Sequence, residues 1–128
     1  MDTKKVGKHG RMQYAPTKLK TENYLFMKAV FIVYGQSLKE PIELLLNKLG
    51  IRGFTRWEEV QGRGDQNGEP HYGTHAWPTK NGSMLAIIDD TKVDVLMESL
   101  RRINEQAEQQ GLNAFVWNIE GTMSDVSR

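Results

Sequence analysis

Two segments of this chain are apolar on both faces, and they decide what it can fold into. Residues 28–34 (Lys-Ala-Val-Phe-Ile-Val-Tyr) and 83–89 (Ser-Met-Leu-Ala-Ile-Ile-Asp) carry aliphatic and aromatic side chains at odd and even positions alike. A strand exposed on one side alternates polar and apolar residues, whereas a strand covered on both sides does not. Both segments therefore read as central strands.

Each is followed by a pattern of helical period. Ser37 and Glu40 have capping-box spacing, Pro41 falls in the first turn, and Ile42, Leu45, Leu46 and Leu49 recur on one face until Gly50. Thr91 and Asp94 open the second helix, with Val93, Leu96, Met97, Leu100, Ile103 and Ala107 on one stripe and Gly111 closing it. Residues 54–61 mix Phe54, Trp57 and Val60 with Arg56, Glu58 and Glu59, the pattern of a half-exposed edge strand. Residues 114–119 place Phe115, Trp117 and Ile119 on one face of another edge strand, and this alternation reads Trp117 as core. The order β-α-β-β-α-β, with the first and third strands most buried, is that of a ferredoxin-like sandwich. The expected fold is α+β: a four-stranded antiparallel sheet with two helices on one face and a long loop between the second and third strands. The other face keeps apolar side chains, and another copy of the chain is the simplest cover for it.

Residues 61–78 separate two strands that a hairpin joins with about two to five residues. This loop holds Gly62, Gly64, Gly68, Gly73, His71, His75, Tyr72 and Trp77. Long loops inside compact domains are functional or disordered, and a disordered linker does not normally carry such side chains. The loop is therefore the candidate functional element.

The totals exclude several classes. There is no cysteine, so there is no disulfide, thiol nucleophile or thiolate metal site. No run approaches the roughly 18 apolar residues of a membrane span, and the start lacks the apolar core of a secretory signal. The expected compartment is the cytoplasm, without membrane insertion. The net charge of +1 hides an asymmetry: residues 1–26 hold six Lys/Arg against Asp2 and Glu22, whereas residues 27–128 hold eleven basic against fourteen acidic residues. Residues 1–26 read as a basic, disordered leader, 27–120 as the folded domain and 121–128 as a flexible tail. An acidic body argues against nucleic acid as the partner.

Over residues 27–120 the chain resembles the nitrogen-regulatory PII signalling proteins, and more closely their divergent PII-like relatives. The resemblance rests on residues 53–64 (Gly-Phe-Thr-Arg-Trp-Glu-Glu-Val-Gln-Gly-Arg-Gly) leading into a long loop, and on 84–90 (Met-Leu-Ala-Ile-Ile-Asp-Asp) entering the second helix. It implies a homotrimer of ferredoxin-like subunits, small effectors in the clefts between them, and a loop, the T-loop, that reports the bound state to a protein partner. That partner would be a transporter or a regulated enzyme. Two segments depart from the family pattern. His71-Tyr72-Gly73-Thr74-His75-Ala76-Trp77 replaces the run whose tyrosine is nucleotidylated, and residues 108–113 (Glu-Gln-Gln-Gly-Leu-Asn) replace a basic loop that contacts nucleotide phosphates. The pattern of 69–77 is instead similar to PII-like proteins associated with metal-efflux systems and other transporters.

The candidate sites follow. Gly62, Arg63 and Gly64 offer free backbone N–H groups and a guanidinium, which suit a phosphate or carboxylate, although two glycines around an arginine also mark a strand leaving its sheet. Trp77, between Ala76 and Pro78, is the tryptophan expected to touch ligand or partner. His71 and His75, with Glu69, are candidate ligands for a divalent transition metal. Pro70 and Gly73 argue against a helix there, and on an extended strand the two histidines stand about 13 Å apart, so they share an ion only where the loop folds back. The alternative role for these histidines is to pin the loop by hydrogen bonds. Asn81-Gly82 reads as a turn. No nucleophile stands at an identifiable spacing from a base, so an enzyme of the dimeric ferredoxin-like barrel type is the least favoured reading. The leading expectation is a non-enzymatic sensor whose effector, an adenine nucleotide among the candidates, orders the loop. The alternative is a metal-binding or metal-tolerance protein using the loop histidines.

Overall fold

The computed structural model describes residues 26–64, 69–76, 79–107 and 110–124. Residues 1–25 of the basic leader, 125–128 of the tail and Trp77 lie outside them.

Strand β1 (Met27–Gly35) passes through a 3-10 turn (Gln36–Leu38) into helix α1 (Lys39–Lys48), and β2 (Thr55–Val60) follows. After the long loop come β3 (Asn81–Asp89), a second 3-10 turn (Asp90–Lys92), α2 (Val93–Gln106) and β4 (Leu112–Asn118). The strands form one sheet in the order β2-β3-β1-β4, every neighbouring pair antiparallel. This is the expected ferredoxin-like sandwich, with the two doubly apolar strands at its centre.

The register explains the burial. Val30, Ile32 and Tyr34 of β1 and Met84, Ala86 and Ile88 of β3 point to the helix side, where Ile42 and Leu46 of α1 and Leu96 and Leu100 of α2 close over them. Leu112, Ala114 and Val116 of β4 pack against the same core. Helix α1 ends in two hydrogen bonds of the Schellman pattern, Ile51 N–H to Leu46 C=O (2.8 Å) and Gly50 N–H to Asn47 C=O (3.0 Å). Gly50 has φ 76°, a left-handed conformation that a Cβ disfavours. The reversal tucks Ile51 into the core beside Leu46.

The helix starts depart from expectation. Ser37 does not cap α1; the cap position is Leu38, without a side-chain hydrogen bond, and the Ser37 hydroxyl donates to Gln110 Oε1. The 3-10 turn shifts the helix start beyond reach of Ser37. At α2, the Asp89 carboxylate caps the preceding turn, accepting from Thr91 N–H and Thr91 Oγ1 at 3.0 Å each.

Among the described residues, no helix covers the opposite side of the sheet. Phe31 stands between Leu85 and Phe115 in the register, Ala29 between Ile87 and Trp117, and Thr55 and Trp57 extend the surface on β2. Ile87 is 41% exposed, Trp57 44%, Trp117 48% and Phe115 51%. Reading Trp117 as core is therefore corrected. The alternation groups Phe115 with Trp117, but pairing with Phe31 and Ala29 turns both toward the helix-free side.

Candidate functional site

The loop is anchored by an irregular continuation of the β2–β3 hairpin. Trp57 pairs with Ser83 and Val60 with Asn81, so β2 spends one residue more than β3 and bulges. Beyond Val60, Gly62 and His71 exchange both backbone hydrogen bonds, at 3.0 and 2.6 Å. Tyr72 bridges Lys80, and Gln61 Nε2 donates to Tyr72 C=O at 2.9 Å. Asn81-Gly82 is not a turn, because these bridges carry the pairing past it and make Asn81 the first residue of β3.

His71 is buried, at 8% exposure, and its Nδ1 lies 2.6 Å from Asn81 Oδ1. An amide oxygen only accepts, so the imidazole carries its proton on Nδ1. Asn81 is itself buried. This pair fixes the returning arm of the loop to the sheet. Arg63, Gly64, Glu69 and His75 are exposed, and Gly62 is half-buried. The structure thus separates the two histidines: His71 is committed to Asn81, while His75 faces outward. Among the described residues no group of three or more His, Asp or Glu side chains converges as a metal site.

The turn before β4 closes over the same end of the sheet. Gly35 donates its N–H to Gly111 C=O at 2.8 Å, and Gln36 donates to Lys80 C=O at 2.9 Å. Gly111 has φ 77°, and a Cβ added there would stand 3.4 Å from His71 Cε1. Sequence reasoning missed Asn81 as the partner of His71. The signal for Asn81 was a polar residue adjoining an apolar strand, which also fits a turn.

Arg56 holds the outer edge. It stands on the helix side of β2 opposite Met84, with Nη2 on Glu43, Nη1 3.6 Å from Glu58 Oε2, and its guanidinium 5.0 Å over the Phe54 ring. Tyr34 lies beside it. Burial pushes the Tyr34 hydroxyl above its ordinary value of 10.0, and the adjacent Arg56 opposes the shift without cancelling it.

A groove of about 770 Å³ opens at the other end of the sheet, with Arg52, Gly53, Ile87, Asp90 and Lys92 among its walls. Lys92 Nζ lies 3.5 Å from Gly50 C=O. The six residues of β2, about 20 Å end to end, separate this groove from Gly62, Arg63 and Gly64 within one chain.

Residues 27–124 match the family model described as nitrogen regulatory protein P-II. No curated protein matches the chain. Among solved structures, a nitrogen regulatory PII-like protein from Thiomonas intermedia K12, CPII, bound to ADP, AMP and bicarbonate, is 22% identical. That match covers 73% of this chain and 85% of that one, with a TM-score of 0.61. The B. subtilis GlnK–ATP complex is 21% identical over 76% of this chain and 84% of that one, at a TM-score of 0.58. Arabidopsis thaliana PII bound to citrate is 18% identical over 73% and 78%, at 0.54. At these identities the solved structures speak for the fold, while the family model spans most of the chain. With its βαββαβ sheet, its helix-free apolar face and its long anchored loop, this chain belongs to the nitrogen regulatory protein P-II family.

Proposed function

We propose that the chain is a non-enzymatic sensor that assembles as a homotrimer through its helix-free sheet face, takes a small effector between copies, and signals through loop 61–78 to a protein partner. The observation that carries this reading is the apolar face itself. Phe31, Trp57, Leu85, Ile87, Phe115 and Trp117 lie on it, and an apolar surface of this kind marks an interaction site. The partner is a transporter or a regulated enzyme; neither nucleic acid nor direct membrane insertion is part of the proposal. Among the described residues no helix is long and apolar enough to cross a membrane.

The effector class is an adenine nucleotide. CPII was solved with ADP, AMP and bicarbonate and GlnK with ATP, and this chain shares their fold. Exposed Arg63, beside Gly64, supplies the charge for the anionic part, and Trp77 is the aromatic anchor on the same loop, while the Gly62 N–H is already committed to His71 C=O. A ligand spanning both Arg63 and the groove near Arg52 would take them from two different copies, since one chain holds them at opposite ends of β2. A metal reading through Glu69, His71 and His75 requires His71 to leave Asn81, and no observation favours it.

Titration with AMP, ADP and ATP, followed by calorimetry, tests the effector class. Binding that weakens at least tenfold in Arg63→Ala supports the proposal. Absence of binding by all three contradicts it, and Zn, Cu and Ni ions in a parallel arm would expose the metal alternative.

A further inference from the structure

We propose that Gln36 is the positioning residue for Arg63: its side-chain amide holds the bulge in β2 that sets the register with which loop 61–78 leaves the sheet. This rests on the reading of Arg63 as the effector's anion contact, and it names the residue that decides where that contact stands.

The bulge decides which side chains the outgoing arm presents. Trp57 pairs with Ser83 and Val60 with Asn81, so Glu58 and Glu59 together stand opposite Gly82. Ser83 and Asn81 lie on the same side of β3, and Val60 therefore joins Trp57 on the helix-free side although the two are three residues apart. In an unbroken ladder Glu59 would pair with Asn81, and each later residue of the arm would stand one place further along and on the other face. Arg63 would be displaced by about 3.3 Å and turned over. Gln61 would take the place of Gly62, where a Cβ stands 2.6 Å from Asn81 Nδ2, so Asn81 would have to shift from His71.

Gln36 is built to hold the bulged register. Its backbone N–H donates to Lys80 C=O at 2.9 Å, and the preceding Gly35 donates to Gly111 C=O at 2.8 Å. From that fixed point the half-buried side chain reaches past the start of β3, and its Nε2 donates to the Glu58 C=O inside the bulge. A bulge leaves its extra residue without a ladder partner, and Gln36 supplies a donor from outside the ladder. The same residue thus grips the outgoing arm at Glu58 and the returning arm at Lys80. The ion pairs at the bulge, Lys39 with Glu58 at 3.4 Å and Lys80 with Glu59 at 3.6 Å, join exposed side chains, and such pairs contribute little.

NMR on the full chain, first without any effector, tests the assignment. Gln36→Met keeps the length of the side chain and removes the donor, and Gln36→Glu keeps its shape but turns only acceptor oxygens toward the Glu58 carbonyl. In the wild type, cross-strand Overhauser contacts should join Val60 to Asn81. In both variants these should weaken and Glu59–Asn81 contacts should appear, while the Ile32–Met84 contacts between β1 and β3 stay. Unchanged Val60–Asn81 contacts in Gln36→Met overturn the proposal, and so does a loss that extends to Ile32–Met84 in both variants. In the second arm, ATP affinity should fall about tenfold in Gln36→Met, as expected for a misplaced charged contact, and adding Arg63→Ala should lower it no further. Full affinity in Gln36→Met overturns the link to Arg63. A wild type that binds no adenine nucleotide removes the effector reading alone, and the Overhauser pattern still decides whether Gln36 sets the register.

Discussion

Phe31 and Trp57 meet edge to face on the helix-free side of the sheet, with ring centroids 6.3 Å apart and planes inclined at 72°. β3 lies between their strands, so the contact reaches over it and joins the sheet's centre to its edge in one aromatic surface. Trp57 and three other large side chains of that face, Ile87, Phe115 and Trp117, are at least 41% exposed, a state that a second copy would relieve.

A charge placed on that surface should break the assembly and spare the fold. Phe115 is 51% exposed, so Phe115→Glu removes little buried area within one chain. Sedimentation velocity is expected to give a trimer for the wild type and a monomer for the variant, with the thermal unfolding of the monomer still cooperative. A wild-type monomer would remove the basis of the proposed clefts.

The opposite layer should behave as ordinary core. Leu96 is fully buried between α2 and the sheet, and Leu96→Ala is expected to cost about 2–5 kcal/mol, through lost transfer energy and the cavity left behind. Leu44, 68% exposed on α1, should tolerate alanine within about 0.5 kcal/mol. Urea denaturation of both variants checks the contrast.

The reversal after α1 depends on a left-handed residue. Gly50→Ala should destabilise the domain by about 1–2 kcal/mol, the cost of putting a Cβ in that region. Gly50→Asn should cost less, because asparagine tolerates the conformation better. Thermal unfolding of the pair distinguishes a φ requirement from simple intolerance of any side chain.

Tyr34 gives a pH dependence with a defined sign. Its folded-state pKa is raised above the ordinary 10.0, so the folded chain keeps the phenolic proton after the unfolded chain has lost it. The associated stability is intact below pH 10 and falls as pH climbs from there through the raised value. Tyr34→Phe should flatten that alkaline loss, because no phenolic proton remains for the folded chain to keep. Subtracting the two stability curves measured from pH 7 to 11 removes the contributions of the other tyrosines and the lysines.

The element order was legible because its signals are local. Two doubly apolar strands, two helical stripes and the glycines after them need no knowledge of partners, and β1 and β3 fell at the sheet's centre as expected. What was misread depends on tertiary choice. The alternation of Phe115 and Trp117 names a face, but it cannot say whether the helices cover that face, and they cover the other. Ser37 has the right spacing for a cap, yet a 3-10 turn intervenes and Gln110 takes its hydroxyl. Asn81-Gly82 fits a turn until the Gly62–His71 bridge extends the hairpin beyond it. His71 and His75 are alike in sequence and unlike in place, because one of them meets Asn81. Gly62, Arg63 and Gly64 stand where the strand leaves the sheet, which both of their sequence readings allow.

The central claim is that effector binding belongs to the cleft between copies. The most direct measurement is the thermal shift produced by an adenine nucleotide in the wild type and in the Phe115→Glu monomer. At about a hundred times its dissociation constant a ligand stabilises the folded state by about 2.7 kcal/mol. The account predicts a shift of that size in the wild type that vanishes in the monomer. A shift that persists undiminished in the monomer would place the site within a single chain and contradict it.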